Sequence, residues 1–570
     1  MLKKNILRSL RDNFSLLILA ALVGSIVSFV AQLFIISAKN IYEFIFSNDQ
    51  FTLNIFIWNI ELNLIPMIIC VPSSMLVALL MYYLKLPRWF GPADTIYAAH
   101  HRAGILDLKG GFGSTLASFI SISGGASVGI YGPLVHFGAT VSSFIRRQKY
   151  IPKIPHDIII GSGVAAAISA GFGAPLAGII FAHETVLRHF SMKAVAALAI
   201  SSMAANFSAT EIGIVSPPLL LKAIPFQMSD ILISLAIIGP IAAFVAIFFM
   251  KLILFLGTIP PKLNLKNWQA PVIAGFACGL CGMIFSEVLG LGTEVLMSVI
   301  TSQQILSYLI FLLIGKLVLT SICIGFGFFG GTFSPALFLG GVLGAIVFQL
   351  PITSTNPELL SVLAVSGMAA VSSSVIGAPI TAIILVLELT GSYEYAIAAT
   401  FPIVVCSFIT SRTFGNSLFD KQLITRGVAI TKGREQIRLN EALIKNYVDH
   451  NYTKLNSKTS IRDAIKLLTK YKTTEGYIIS NDNKYIGKIS LISLIEKKET
   501  KLIDFVENKP LIIDPNSNLI FVIKKLSKFV GESIPIVDKK TNEMIGIISE
   551  NDVLQAYLDI SEEINLIEKH

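Results

Sequence analysis

Two short stretches of this chain could hold an anion without a positive side chain: Gly129-Ile130-Tyr131-Gly132-Pro133 and Gly331-Thr332-Phe333-Ser334-Pro335. Each opens on glycine, which lets a backbone approach a ligand closely. Each reaches a proline, expected at the first helical position, where its missing N–H costs nothing. A helix begun there leaves its other early N–H groups unpaired and carries about +0.5 of an elementary charge at that end. Two such ends turned towards each other form an anion site from backbone alone. Inside a membrane a cationic side chain would cost roughly 3 kcal/mol or more and would hold an anion too tightly to let it leave.

The surrounding elements duplicate as well. Ser162 to Glu184, SGVAAAISAGFGAPLAGIIFAHE, aligns without a gap on Ser366 to Glu388, SGMAAVSSSVIGAPITAIILVLE, and about half the positions are identical. The first glycine-proline stretch precedes its copy by nearly the distance that the second precedes its own, so Tyr131 corresponds to Phe333. Two halves with matching glycine- and proline-interrupted apolar segments point to a transporter or channel that binds its substrate at broken helix ends.

Composition agrees. The chain of 570 residues is 53% hydrophobic and only 14% charged, with a mean hydropathy of +0.71. Runs such as LLILAALVGSIVSFVAQLFIISA and ILISLAIIGPIAAFVAIFFM reach the roughly 20 apolar residues that a membrane-spanning helix needs. The basic start MLKKNILRSLRDN lacks a small-residue cleavage site and reads as the cytoplasmic flank of a retained first span. The net charge of +9 fits positive cytoplasmic loops. No basic cluster interleaved with aromatics suggests nucleic acid as a partner. Cys278 and Cys281 form a lone C-x-x-C inside an apolar run without a second pair, so helix- or lipid-packed thiols are expected. No catalytic triad, Walker lysine motif or metal-ligand cluster marks an enzyme.

Composition changes near residue 420, which divides the chain into a membrane part, 1–425, and a soluble tail, 426–570. The tail repeats internally at about 448–498 and 502–560, with Gly487 matching Gly546, and each copy reads helix, strand, turn, strand, helix.

From about residue 15 to 425 the chain resembles the CLC family of chloride channels and chloride/proton antiporters. The resemblance rests on GGASVGIYGP (family pattern G-K/R-E-G-P), GGTFSPALFLG (pattern G-x-F-x-P), GAPLAGIIFAHE, GAPITAIILVLE and SLFDKQLITRG. The tail resembles a tandem pair of CBS domains. These resemblances imply a mainly α membrane protein built from two inverted-topology repeats, followed by a soluble α/β tandem CBS region. They also imply a homodimer with one anion pathway per subunit, in contact with membrane lipid. Lys-, Asn- and Ile-rich usage suggests a bacterial inner membrane, with both termini cytoplasmic.

Carried over residue by residue, the pathway phenylalanine falls on Phe333 and the late tyrosine on Phe419, which lacks the hydroxyl donor. The early serine motif has no clear counterpart, because the chain reads Gly91-Pro92-Ala93-Asp94 there. Backbone N–H groups of that stretch are expected to coordinate instead, with Asp94 as a helix cap. The gating glutamate falls on Tyr131 and the internal proton-transfer glutamate on Thr185. A carboxylate gates by imitating the anion and carries a proton when it leaves. A phenol, with an ordinary pKa of about 10, stays neutral at pH 7, and threonine does not ionise. Passive, channel-like chloride flux without proton coupling follows as the leading expectation, and the plain G-x-F-x-P motif argues for chloride among related anions.

Glu184 and Glu388, at matching repeat positions, are expected to bond helix ends, and His183 and His136 to be packed. In the tail, Ser549-x-x-Asp552 resembles the Ser/Thr and Asp with which CBS pairs hold adenine nucleotides; the first copy has Ser490-x-x-Ser493, without the acid. No cofactor is required for transport. Two other readings stand: a chloride/proton antiporter with substitute residues, and a nucleotide-sensing membrane protein that no longer conducts.

Overall fold

The computed structural model describes residues 2–46, 52–55, 60–101, 105–148, 155–211, 225–351, 356–428, 438–496, 501–506 and 511–569. The basic side chains of the N-terminal flank lie outside what it describes, as do the tail's first residues up to 437 and the end of the first tail repeat at 497–498. The chain divides into two compact units, meeting between Val428 and Ala429.

In the first unit, seven helices among the described residues are long and apolar enough to cross a membrane. Apolar side chains on their outer faces, such as Ile68, Leu79, Phe244 and Phe311, are exposed. The two halves are built alike. Helix Tyr131–Arg146 packs on helix His156–Phe172, and helix Phe333–Phe348 packs on helix Leu359–Ile376. Glycines make both contacts. A Cβ added at Gly138 would sit 2.2 Å from the Gly163 carbonyl oxygen, and one at Gly340 would sit 2.2 Å from that of Gly367.

The Gly-Ala-Pro signature also has a local cause. Gly173 (φ 64°) and Gly377 (φ 74°) end their helices in the left-handed conformation, which suits glycine because it has no Cβ. Their N–H groups donate to Ser169 and Ser373. Two residues later Pro175 and Pro379 start helices Pro175–Phe181 and Pro379–Thr390.

Glu184 and Glu388 tie the halves together. The Glu184 carboxylate accepts from the N–H groups of Ile380 (2.9 Å) and Thr381 (2.8 Å) and from the Thr381 hydroxyl (2.7 Å). The Glu388 carboxylate accepts from Leu176 and Ala177 N–H, both at 2.8 Å. The acid that ends each matching segment thus caps the other half's proline-initiated helix. A carboxylate is favoured there by the orphan donors and by the helix dipole.

In the second unit the first repeat joins strands Lys454–Asn456, Glu475–Ile479 and Tyr485–Ser490, with helix Ile461–Tyr471 on the sheet. The second pairs Ser533–Val537 with Met544–Ser549 in antiparallel register and packs helices Leu519–Leu526 and Glu550–Lys569 on them. Alternation along the strands sends Ile478 and Ile489 into one core and Ile534, Ile536 and Ile548 into the other. The hairpin turns pair with each other: Met544 N–H donates to Asn483 and Tyr485 N–H to Asn542.

Candidate anion pathway

The two glycine-proline stretches meet. Gly129 N–H donates to the Gly331 carbonyl at 2.8 Å, and Gly331 N–H returns the bond to Gly129 at 2.6 Å. This antiparallel bridge sets the starts of helices Tyr131–Arg146 and Phe333–Phe348 against each other. The space is tight enough that a Cβ on Gly132 would come 3.0 Å from the Gly331 Cα. The prolines fall at the third helical position and not at the first, because the helices begin at Tyr131 and Phe333. Pro133 and Pro335 each remove one early donor, which leaves N–H groups of Tyr131, Gly132, Phe333 and Ser334 in the first turns. The hydroxyls of Thr332 and Ser334 are buried at the second mouth without a hydrogen-bond partner. Buried polar groups are ordinarily paired, so this mouth carries donors in excess of what the protein itself uses.

A cavity of about 370 Å³ leads to these ends, lined among others by Gly91 to Asp94, Gly132, Pro133, Gly331 to Phe333 and Phe419. Ile130 is the N-cap of its helix and is buried. Phe419 lines this cavity with a ring that offers no hydrogen-bond donor. Beyond Phe333 the route is filled with rings. Tyr131 stacks on Phe172 with centroids 3.6 Å apart. Phe333 meets Tyr131 edge-on at 5.7 Å and Phe172 at 5.2 Å. All three are at most 7% exposed. Gly171 makes room for the stack, since a Cβ there would touch the Tyr131 ring at 3.0 Å. Nothing in the sequence singled out Phe172 or Gly171; the only signal is their departure from Ile376 and Val375 at the matching repeat positions.

The stretch from Gly91 to Asp94 does not present its backbone as expected. Asp94 caps helix Pro92–His100 by taking the Gly91 N–H at 3.0 Å, and the Asp94 N–H is used within the turn. Proline has no N–H, so of the four residues only Ala93 has an N–H left to offer an anion. The Asp94 carboxylate is itself clasped by two arginines: Arg88 donates twice, at 2.5 and 2.9 Å, and Arg426 once, at 3.1 Å. Arg88 and Arg426 line the same cavity and bring two positive charges against one negative charge at its mouth. Sequence reading missed both, because they lie 338 residues apart.

Lys316 was missed as well. Fully buried in helix Leu306–Phe326, it donates to the carbonyls of Val288 (3.1 Å) and Gly290 (2.7 Å). Gly290 N–H in turn donates to Gly125, and Thr320, one turn on from Lys316, bonds Ser127. This face of the helix steadies the loop that carries Gly129 and Tyr131.

Thr185 sits in a π-helical turn, Ala182–Leu187, and its hydroxyl is buried without a partner. It lines a separate cavity of about 450 Å³ rich in hydroxyls, including Ser373, Ser374 and Thr410. Arg188 and Asp420 form an ion pair on that cavity's wall. His183 bonds the His189 carbonyl and stacks on Phe190. His136 bonds Thr95 and lies against Phe90, and it does not line the cavity at the helix starts. The Cys278 thiol lies 3.2 Å from that of Cys323 on another helix, and among the described residues no cluster suits a metal ion. In the tail, Ser549 and Asp552 cap the start of their helix: the Asp552 carboxylate takes the Ser549 N–H (2.8 Å) and hydroxyl (2.7 Å).

Comparisons with known proteins agree with this architecture. Residues 73–412 match the family described as "Voltage gated chloride channel". Residues 444–499 and 503–559 each match the CBS domain. An "H(+)/Cl(-) exchange transporter ClcA" of Vibrio parahaemolyticus is 26% identical over 452 residues, covering 74% of this chain and 92% of that protein. The protein of the same name from Yersinia pestis is 26% identical over 341 residues, 57% of this chain and 70% of its own. Among solved structures, a slow cyanobacterial Cl-/H+ antiporter aligns with a TM-score of 0.61 at 21% identity, covering 74% of this chain and 99% of its own. A eukaryotic CLC transporter aligns at 0.63 and 15% identity, covering 95% of this chain and 98% of its own.

Proposed function

The chain belongs to the voltage gated chloride channel family, and we propose that it carries chloride and related anions across a membrane, without stoichiometric proton exchange. The observation that carries this reading is the make-up of the paired mouths. Unpaired hydroxyls of Thr332 and Ser334 and the early N–H groups await an anion, while a phenol ring lies across the route. Tyr131, stacked on Phe172, can close the path by its bulk but cannot shed and regain a proton near pH 7. Thr185 cannot relay one. The Arg88 and Arg426 pair raises the local anion concentration at the cavity mouth, as charge-lined clefts do.

A second reading, proton-coupled exchange, draws support from the relatives, which are named as H(+)/Cl(-) exchange transporters. Purified protein in liposomes separates the two. With an imposed chloride gradient, chloride should move and protons should not be driven uphill. Sustained uphill proton movement with a fixed ratio to chloride would establish exchange instead, and no chloride movement would favour a non-conducting sensor.

The same reading takes the protein as a homodimer with one pathway per subunit, in a bacterial inner membrane with both termini cytoplasmic. The tail then acts as a regulatory module, with an adenine nucleotide held near Ser549 and Asp552 once their mutual capping is released.

A further inference from the structure

Glu475 begins strand Glu475–Ile479 of the first tail repeat, yet its side chain is bound by the second repeat. Strand alternation explains the direction: Gly476 and Ile478 face the first repeat's own core, while Glu475 and Tyr477 face the other way. There the carboxylate accepts from the N–H groups of Glu532 and Ser533, both at 3.0 Å, and from the Ser533 hydroxyl at 3.1 Å. The Lys488 ammonium lies 2.6 Å away, and the Tyr477 hydroxyl 3.4 Å. Lys488 also donates to the Ser533 carbonyl and lies over the Phe529 ring. Lys488 is 2% exposed, Tyr477 1% and Ser533 6%.

This arrangement is not demanded by the fold. The later strand of the second repeat follows that of the first at a shift of 59 residues, Gly487 on Gly546 and Ser490 on Ser549; the residue opposite that serine is Glu475 in the first repeat and Ser533 in the second, so Glu475 and Lys488 become Ser533 and Ile547. The same strand positions are served by a serine and an isoleucine in one repeat and by a buried ion pair in the other. Apolar replacements of such pairs are often neutral or stabilising, so stability alone does not account for the charges. The donor set has a chemistry of its own. Successive backbone N–H groups, a hydroxyl and a lysine ammonium form the cradle that proteins offer to phosphate. Ser533 is also the strand partner of Ser549.

We infer that Glu532 N–H, Ser533, Lys488 and Tyr477 form a phosphate-binding cradle between the two repeats, held occupied by the chain's own Glu475 carboxylate. A phosphate-bearing ligand binds by displacing Glu475, and the carboxylate returns when the ligand leaves. The inference rests on the reading of the tail as a ligand-binding module. It does not need Ser549 or Asp552 to touch a nucleotide.

The test uses the full chain in detergent, titrated calorimetrically with inorganic phosphate at constant ionic strength. Glu475→Ala should bind phosphate saturably and at least about tenfold more tightly than the unaltered protein, the scale of one charged hydrogen bond. Adding Lys488→Met should abolish the gain. Folded Glu475→Ala without binding, or equal binding by all three proteins, would overturn the cradle and leave Glu475 a structural tie only. If Glu475→Ala aggregates, Glu475→Gln decides: it keeps the hydrogen bonds without the charge and should still bind phosphate more tightly than the unaltered protein, and no gain overturns the inference. AMP as a second probe of Glu475→Ala separates the sources. Binding no tighter than phosphate assigns the cradle to the free anion; tighter binding assigns it to a nucleotide's phosphate ester. Loss of AMP binding in Asp552→Ala with phosphate binding retained would place the nucleotide contact, and not the cradle, on Asp552.

Discussion

The two halves of the membrane unit agree where they hold each other and differ at the two glycine-proline mouths. Glu184 and Glu388 cap one another's halves at positions related by the repeat, and paired glycines set the same helix contact in each. At the mouths the first half places Tyr131 on Gly171 and Phe172. The second has Phe333, with Val375 and Ile376 at the matching places. The scaffold stays symmetric because each half must satisfy the other's helix ends. The mouths are free to diverge, because no reciprocal cap ties Tyr131 to Phe333 in the way that Glu184 and Glu388 tie the helix ends. Symmetry here belongs to stability, and it breaks down at the stacked rings of Tyr131 and Phe172.

The largest expected effect comes from breaking the symmetric part. Glu184→Ala strands two N–H groups and a hydroxyl and should destabilise the membrane unit by about 3 kcal/mol, whereas Glu388→Ala strands two N–H groups and should cost about 2 kcal/mol. Thermal unfolding in detergent measures both, and equal or negligible shifts would count against reciprocal capping.

The asymmetric part should respond in flux. Tyr131→Ala removes a stacked and an edge-on ring contact, each worth about 1 kcal/mol, and should raise chloride flux about tenfold. Tyr131→Phe keeps the rings and should change flux less than about twofold on the same reasoning. Should Tyr131→Phe match Tyr131→Ala, the hydroxyl and not the ring is the working part.

The smallest effect sharpens the comparison most. Gly171→Val gives the first half its partner's residue, displaces the Tyr131 ring and should raise flux, though less than Tyr131→Ala. The reciprocal Val375→Gly should leave flux unchanged and cost about 1–2 kcal/mol in stability. Equal flux effects from the two would show that the stack on Gly171 does not close the path.

Much of this was legible in the residues. The Gly-Ala-Pro copies announced duplicated helix breaks, because left-handed caps and proline starts are local chemistry. The paired mouths followed from the same logic. The proline's place did not: helices beginning at Tyr131 and Phe333 put it third, since the chain is already helical before it. The stretch from Gly91 to Asp94 was misread for a similar reason. A short acid three residues after a glycine cap takes the N–H that an anion would need, and the arginines that clasp it arrive from Arg88 and Arg426.

By itself the sequence determined a duplicated membrane unit with anion-friendly helix starts, Tyr131 where the pattern it resembles has a glutamate, and a repeated α/β tail. Periodicity, composition and helix-end chemistry act over a few residues, so they can be read in order along the chain. Only the tertiary structure decided what lies against what: Phe172 under Tyr131, Glu184 on Thr381, Lys316 beneath the mouth loop, Glu475 in the other repeat's donors. Those partners are distant in sequence, and burial makes their unpaired alternatives costly enough that the folded packing alone selects them.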